Sequence, residues 1–236
     1  MSIATSYLAS AARFAVGRTV GPIGPRPEKM LELYEFEACP FCRKVREALT
    51  MLDLEVLVRP TPRGGTRYRP EAIARGGQRK FPLLFDPNED LLLYESDDII
   101  RHLYARYGRT SAPLLLRLGP LGTMSSGVAS MMRPGRGRRA KKSRAPAEPL
   151  ELWSFELSPY CRLVRETLCE LELPYVLHNV GKNSAHRPAL LERAKKVQVP
   201  YLEDPNTGRK MFESLDIVRY LEGAYGDGAN GDAGPI

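Results

Sequence analysis

Cysteine, histidine and tryptophan are scarce, with four, three and one of them respectively among 236 residues. Four unevenly spaced cysteines exclude a disulfide-stapled scaffold, and His102, His178 and His186 show no metal-ligand spacing. No apolar run reaches the ~20 residues needed to span a bilayer. The best candidate, Leu114 to Met132, is broken by Arg117, Pro120 and three glycines. Negative charge is missing locally: Ser111 to Ala147 contains eight basic residues and no acid. That stretch carries the whole excess of the +7 net charge, because the rest of the chain holds 27 basic against 28 acidic residues. It also lacks aromatic side chains on which bases could stack, which argues against a specific nucleic-acid partner. Its second part, residues 133–149, reads as a flexible basic linker.

What is present is ordinary for a globular protein, 43% hydrophobic and 27% charged residues, arranged as an internal repeat. Residues 31–54 align without a gap on residues 150–173 with 14 identities in 24 positions, and 82–103 align on 200–221 with 11 in 22. Units this long are two copies of one small domain rather than solenoid repeats. The chain divides into an N-terminal arm (1–30), a first domain (31–108), a connector with room for a helix (109–149), a second domain (150–226) and a tail (227–236). Met1 to Pro27 has three arginines and no acid, a composition that suits a transit peptide. Against this, Ala9 to Arg13 has a counterpart in Ala129 to Arg133, which suits a docking arm belonging to each repeat.

Within one copy, Leu31, Leu33, Tyr34 and Phe36 read as a buried strand. A helix starts at Pro40 and turns Val45, Ala48, Leu49 and Leu52 to one face. A strand over 55–59, a helix near 70–75 and a hairpin over 81–94 follow. Ser96 then caps a last helix that buries Ile99, Ile100 and Leu103. The pattern predicts an α/β protein of two tandem domains, each a four-stranded mixed sheet flanked by helices.

The chemistry concentrates in Cys39-Pro40-Phe41-Cys42, where a strand ends and a helix begins. Unpaired backbone N–H groups and the helix dipole stabilise a thiolate at Cys39, well below the free-thiol value of ~8.5. Cys42, one turn on, could resolve a mixed disulfide formed on Cys39. The competing reading of a lone Cys-x-x-Cys, half of a zinc site, lacks two further ligands. Cys169, beside Leu168 and Leu171, reads as a buried core thiol. The second copy has Ser158-Pro159-Tyr160-Cys161 in the equivalent place, so it cannot run dithiol exchange.

The Cys-Pro-Phe-Cys helix start, Phe81-Pro82 before a strand and Glu95-Ser96 at the last helix together resemble the glutaredoxin-like, thioredoxin-fold N-terminal domain of glutathione transferases. Ser158-Pro159-Tyr160-Cys161, Val199-Pro200 and Glu213-Ser214 repeat the set, and the resemblance covers about two thirds of the chain. It implies cis bonds before Pro82 and Pro200, with the Phe81 and Val199 backbones pairing with the cysteinyl part of glutathione. It implies that Glu95-Ser96 and Glu213-Ser214 receive the γ-glutamyl end, and that Ser158 is placed to hydrogen-bond a glutathione thiolate. The chain departs from a complete transferase in having only the basic connector after copy one, where a large helical domain would build the electrophile pocket.

The expectation is glutathione-dependent thiol–disulfide exchange, with Cys39 as nucleophile, Cys42 as resolving thiol, glutathione as cofactor and a disulfide or glutathionylated molecule as substrate. Alternatives are a transferase or dehydroascorbate-type reductase using Cys39, or a non-catalytic module that binds glutathione, senses redox state or bridges an iron–sulfur cluster between two chains. A dimer is compatible with the last. The cysteine usage suits the cytoplasm, or a plastid or mitochondrial matrix if residues 1–27 are a transit peptide.

Overall fold

Two-residue alternation decides which face of the sheet each side chain enters. In the first strand Leu31 and Leu33 face one core while Tyr34 faces another, and in its counterpart Leu150 and Leu152 oppose Trp153 in the same way. The computed structural model describes residues 17–117 and 135–227. In chain order the first repeat runs β1 (Leu31–Glu35), α1 (Pro40–Met51), β2 (Val56–Pro60), α2 (Tyr68–Gly76), β3 (Leu83–Asp86), β4 (Leu91–Leu93) and α3 (Ser96–Tyr107). A single turn, α4 (Leu114–Arg117), follows. The second repeat runs β5 (Leu150–Ser154), α5 (Pro159–Glu170), β6 (Tyr175–Asn179), α6 (Arg187–Ala194), β7 (Tyr201–Asp204), β8 (Arg209–Phe212) and α7 (Ser214–Tyr225).

The strands form one mixed sheet rather than two, ordered β4-β3-β1-β2-β6-β5-β7-β8. The seam is antiparallel pairing of β2 with β6, Val56 opposite Leu177 and Val58 opposite Tyr175. Pairing these strands removes what would be an exposed edge on each half. One sheet face carries a continuous apolar core with α1, α3, α5 and α7, while α2 and α6 cover the other face over small separate clusters. Each hairpin is pinned by an aspartate: Asp86 accepts from the Asn88 amide (2.9 Å) and the Tyr107 hydroxyl (2.6 Å), as Asp204 does from Asn206 (2.8 Å) and Tyr225 (2.6 Å).

The segments before the repeats cross between them with twofold pseudo-symmetry. Leu157 N–H donates to Gly17 O and Ala38 N–H to Gly137 O, both at 3.2 Å. Gly21 N–H then reaches Met51 O (2.8 Å) and Lys141 N–H reaches Glu170 O (2.7 Å). The stretch read as a flexible linker is therefore tied down where it is described, because its backbone groups have partners in both repeats. Gly137 sits at φ 62° with a Cβ position 2.8 Å from Glu37 Cβ, so only glycine lets the crossing segment approach that loop. The proposed docking arms Ala9 to Arg13 and Ala129 to Arg133 lie outside the described residues, as do most of the suggested transit segment and tail.

Between the helix starts α1 and α5 the interior is charged. Arg46 Nε donates to Glu156 Oε2 (2.9 Å), its Nη2 to Glu37 O (3.2 Å), and its Nη1 pairs with Glu35. The counterpart Arg165 donates from Nε to Glu37 Oε2 (3.1 Å), from Nη2 to Glu156 O (3.3 Å), and from Nη1 to Ser154 Oγ (3.2 Å). Both arginine side chains are 1% exposed, and the Glu156 side chain is equally buried. Burial opposes ionisation of Glu156, yet Arg165 and Arg46 hold its carboxyl down at about 2. Burial pushes the Glu35 carboxyl up to about 7, with Arg46 opposing.

Removing one member of such a cluster strands the others without compensation. Glu156→Ala should cost ~3–5 kcal/mol in urea unfolding, and a loss under ~1 kcal/mol would show that water or rearrangement replaces the pairing. A second charge cluster ties the seam, where His178 lies between Glu55 and Glu151 and stacks on Trp153 at 4.2 Å. Burial disfavours the charged ring, but hydrogen bonds to Glu151 and Glu55 prevail and raise it to about 9 from 6.5. Because the folded value is the higher one, this stabilisation is complete below pH 6.5 and is lost as pH rises through about 9. Wild type should exceed His178→Gln by about 3 kcal/mol at pH ~6, a gap that closes by pH ~10. A pH-independent gap would refute the assignment.

Candidate functional site

The chain turns sharply out of β1 at Phe36 and enters α1 at Pro40, whose fixed φ and missing N–H suit a first helical position. Cys39 is the N-cap, and its sulfur accepts the Cys42 N–H at 3.4 Å, the place a capping oxygen ordinarily takes. The hydrogen bond from the Cys42 thiol lowers the Cys39 pKa, burial opposes this, and the Cys42 and Phe41 backbone N–H groups reinforce it. Cys42 moves the opposite way, since burial pushes its thiol well up and its bond to Cys39 adds to the effect. Cys39 keeps 4% of its surface exposed and Cys42 none, while Phe41 between them is 45% exposed. Acidity and access therefore select the same sulfur.

Phe81-Pro82 is cis, and the Phe81 carbonyl lies 4.0 Å from Cys39 Sγ. Lys80, next in the chain, pairs with Glu95 at 3.4 Å, and Lys44 of α1 pairs with Asp97 at the start of α3. These contacts bring Cys39, Phe81-Pro82 and Glu95-Ser96 to one end of the first repeat. In the second repeat Ser158 caps α5 through a 3.3 Å bond from the Cys161 N–H, Val199-Pro200 is also cis, and Gln198 reaches Glu213 at 2.6 Å. Ser158 and Ser214 are buried. The two ends are thus built alike around a sulfur in one case and a hydroxyl in the other.

The helix cap expected at Ser96 is displaced by one residue. The N-caps of α3 and α7 are Glu95 and Glu213, neither with a side-chain cap bond, so Ser96 and Ser214 are the first helical residues. Glu95 (φ 59°) and Glu213 (φ 66°) occupy the left-handed half of backbone space, which costs a non-glycine residue about 1–3 kcal/mol. Recurrence of the same strained geometry in both repeats points to a shared demand on that backbone.

Four features escaped sequence reasoning. Arg69 of α2 stacks over the Phe81 ring at 4.7 Å, with a buried Nε that makes no hydrogen bond among the described residues. Cys169 is buried, as its leucine neighbours imply, but its sulfur also reaches the other repeat, accepting the Glu37 N–H at 3.4 Å. The equivalent position in the first repeat, Thr50, accepts the Glu156 N–H at 3.3 Å. Arg46 and Arg165 are the third and fourth features. The only signal for them was their identity between repeats at positions where a solvated helix face would be free to vary. Among the described residues no group of three His, Cys, Asp or Glu side chains could hold a metal ion, and no helix is long and apolar enough to cross a membrane.

The family described as glutathione S-transferase, N-terminal domain, matches the chain twice, over residues 33–111 and 152–229. The chain belongs to that family, as two tandem thioredoxin-like domains. Among solved structures it is similar to the Bombyx mori glutathione transferase BmGSTD1, with 25% identity, 36% of this chain and 39% of that chain covered, and a TM-score of 0.33. It is also similar to Leishmania TDR1, described as a unique trimeric glutathione transferase, at 11% identity over 87% of this chain and 70% of that one, TM-score 0.30. The chain thus spans well under half of the silkworm enzyme's length. No curated protein matches significantly.

The opposed shifts at Cys39 and Cys42 set an order of reactivity. Iodoacetamide at pH ~6 should modify Cys39 first and leave Cys42 and Cys169 unmodified in the folded protein. Peptide mapping that found Cys42 or Cys169 labelled first would contradict that order.

Proposed function

We propose that this protein catalyses glutathione-dependent thiol–disulfide exchange at Cys39. The observation that carries the reading is the capping sulfur itself: it is held low in pKa by donors from the start of α1, keeps 4% of its surface exposed where Cys42 keeps none, and lies beside the carbonyl that precedes a cis proline. Membership in a glutathione transferase N-terminal family supports glutathione as the thiol it works with.

In the forward step the Cys39 thiolate attacks the glutathione sulfur of a glutathionylated substrate. The substrate sulfur leaves as a thiolate and takes a proton, and Cys39 is left in a mixed disulfide with glutathione. A second glutathione thiolate then attacks that disulfide, releasing oxidised glutathione and restoring the Cys39 thiolate. Cys42 offers the other exit, forming the Cys39–Cys42 disulfide and releasing glutathione. Its raised pKa leaves it a protonated, weak nucleophile near neutrality, so resolution by free glutathione is the faster route. Phe81, Pro82, Glu95 and Ser96 would hold the tripeptide, with the Phe81 backbone beside its cysteine.

The second repeat keeps the corresponding frame in Val199, Pro200, Glu213 and Ser214, but with Ser158 at the reactive position. A serine hydroxyl does not ionise at neutral pH, so this end would hold glutathione without exchanging it. Transfer to electrophiles is the weaker reading, because a site whose best nucleophile is its own thiolate competes with glutathione for the electrophile.

The test is reduction of a small glutathione mixed disulfide coupled to glutathione and glutathione reductase. Cys39→Ser should abolish turnover, while Cys42→Ser should keep at least about half of it. Equal loss in both variants would make the dithiol route obligatory, and a wild-type protein without activity would end the proposal.

A further inference from the structure

The loop that presents Cys39 is held from the other repeat. Each residue between Phe36 and Cys39 has a partner there or in the segment leading into it: Glu37 N–H donates to Cys169 Sγ at 3.4 Å, and Ala38 N–H to Gly137 O at 3.2 Å. The Glu37 carboxylate takes a two-pronged bond from Arg165, Nε to Oε2 at 3.1 Å and Nη2 to Oε1 at 3.2 Å. The same guanidinium donates to the Phe155 and Glu156 carbonyls, the loop that presents Ser158, at 3.4 and 3.3 Å. One planar group in α5 therefore spans the loops that present Cys39 and Ser158, and its 1% exposure leaves it no water to bond instead. A bidentate arginine fixes direction as well as distance, which a single ion pair does not.

We infer that Arg165, a residue of the second repeat, is a positioning residue for Cys39 of the first, acting through Glu37 two residues before the thiol. Its role is geometric. The Cys39 sulfur is stabilised while it faces the Cys42 thiol and the Cys42 and Phe41 N–H groups at the head of α1, and the preceding loop sets that direction. Arg165 keeps that loop in place and is itself about two turns beyond Ser158, the residue that caps α5. The two ends of the molecule are in this way mechanically joined, and the reactive end is incomplete without the unreactive one.

This inference rests on the reading of Cys39 as the reactive thiol, and the experiment separates the two. The rate of Cys39 alkylation by iodoacetamide is followed against pH in the full chain, for wild type and Arg165→Met, with thermal unfolding recorded alongside. A wild-type midpoint no lower than that of a free thiol, ~8.5, would remove the functional reading itself. With a low wild-type midpoint, Arg165→Met should move it up by about one pH unit, a roughly tenfold loss of thiolate at a pH below both midpoints. A folded methionine variant with the wild-type midpoint overturns the inference, whatever its unfolding temperature, because a purely structural role alters stability and not the profile. Should that variant fail to fold, Arg165→Lys carries the test. Its ammonium keeps the charge but cannot hold both Glu37 oxygens in one plane, so the midpoint still rises, by less. A folded lysine variant with an unmoved midpoint is equally fatal.

Discussion

The rest of the molecule depends on the reciprocal pairing of Arg46 and Arg165 with Glu156 and Glu37. These groups lie between two helix starts where almost no solvent reaches them, so each charge must be compensated inside the protein. The net stability such a cluster adds over a well-packed apolar interior is small, because desolvation consumes most of the attraction. Its effect is on uniqueness. Only one relative placement of the repeats brings both arginines onto both carboxylates, and that placement also sets β2 against β6 in register. A slip of one residue at the seam would turn Leu177 and Tyr175 out of the core and break the cluster together.

The same constraint accounts for the asymmetry of the two ends. Cys39 and Ser158 accept equivalent N–H bonds at 3.4 and 3.3 Å, so either atom satisfies the helix start and neither the cap nor the brace distinguishes them. What differs is acidity. The hydrogen bond from the Cys42 thiol and the backbone N–H groups lower the Cys39 pKa against the opposing effect of burial, whereas a hydroxyl in the same place stays un-ionised, so exchange of one atom separates chemistry from architecture. The second repeat can therefore lose its reactivity while remaining necessary to the first, which its arginine and its Cys169 sulfur hold in place.

Much of this was legible in the sequence, because the signals were local. Pro40 and Pro159 mark helix starts, the apolar spacing of α1 gives its buried face, and the repeat places the hairpins. What stayed hidden depended on long-range pairing. A strand such as β2 alternates in the same way whether its outer edge meets solvent or β6, so one continuous sheet reads as two. Arg46 lies where a helical arginine ordinarily points to water, and only the second copy's presence turns that face inward. Cys169 was read from its leucine neighbours, although its sulfur faces a backbone N–H of the other repeat. Ser96 had the composition of a cap, yet the positive φ of Glu95 ends the preceding turn one residue earlier and takes the N-cap position.

The crossing segments define the unit that can fold. The segment before repeat one supplies a carbonyl to the loop before Ser158 in repeat two, and the segment before repeat two supplies one to the loop before Cys39 in repeat one. A cut between the domains would leave each half with the arm that serves the other. Either half alone would expose its seam strand, leave its arginine facing a missing carboxylate, and lose a backbone partner beside its helix start. Each of the last two defects leaves a polar group poorly satisfied at a cost of roughly 1–3 kcal/mol, against a total stability of ~5–15 kcal/mol for a small domain. The described part of the connector, residues 135–149, is thus part of the fold, and the folding unit is the pair, a dimer-like arrangement closed within one chain.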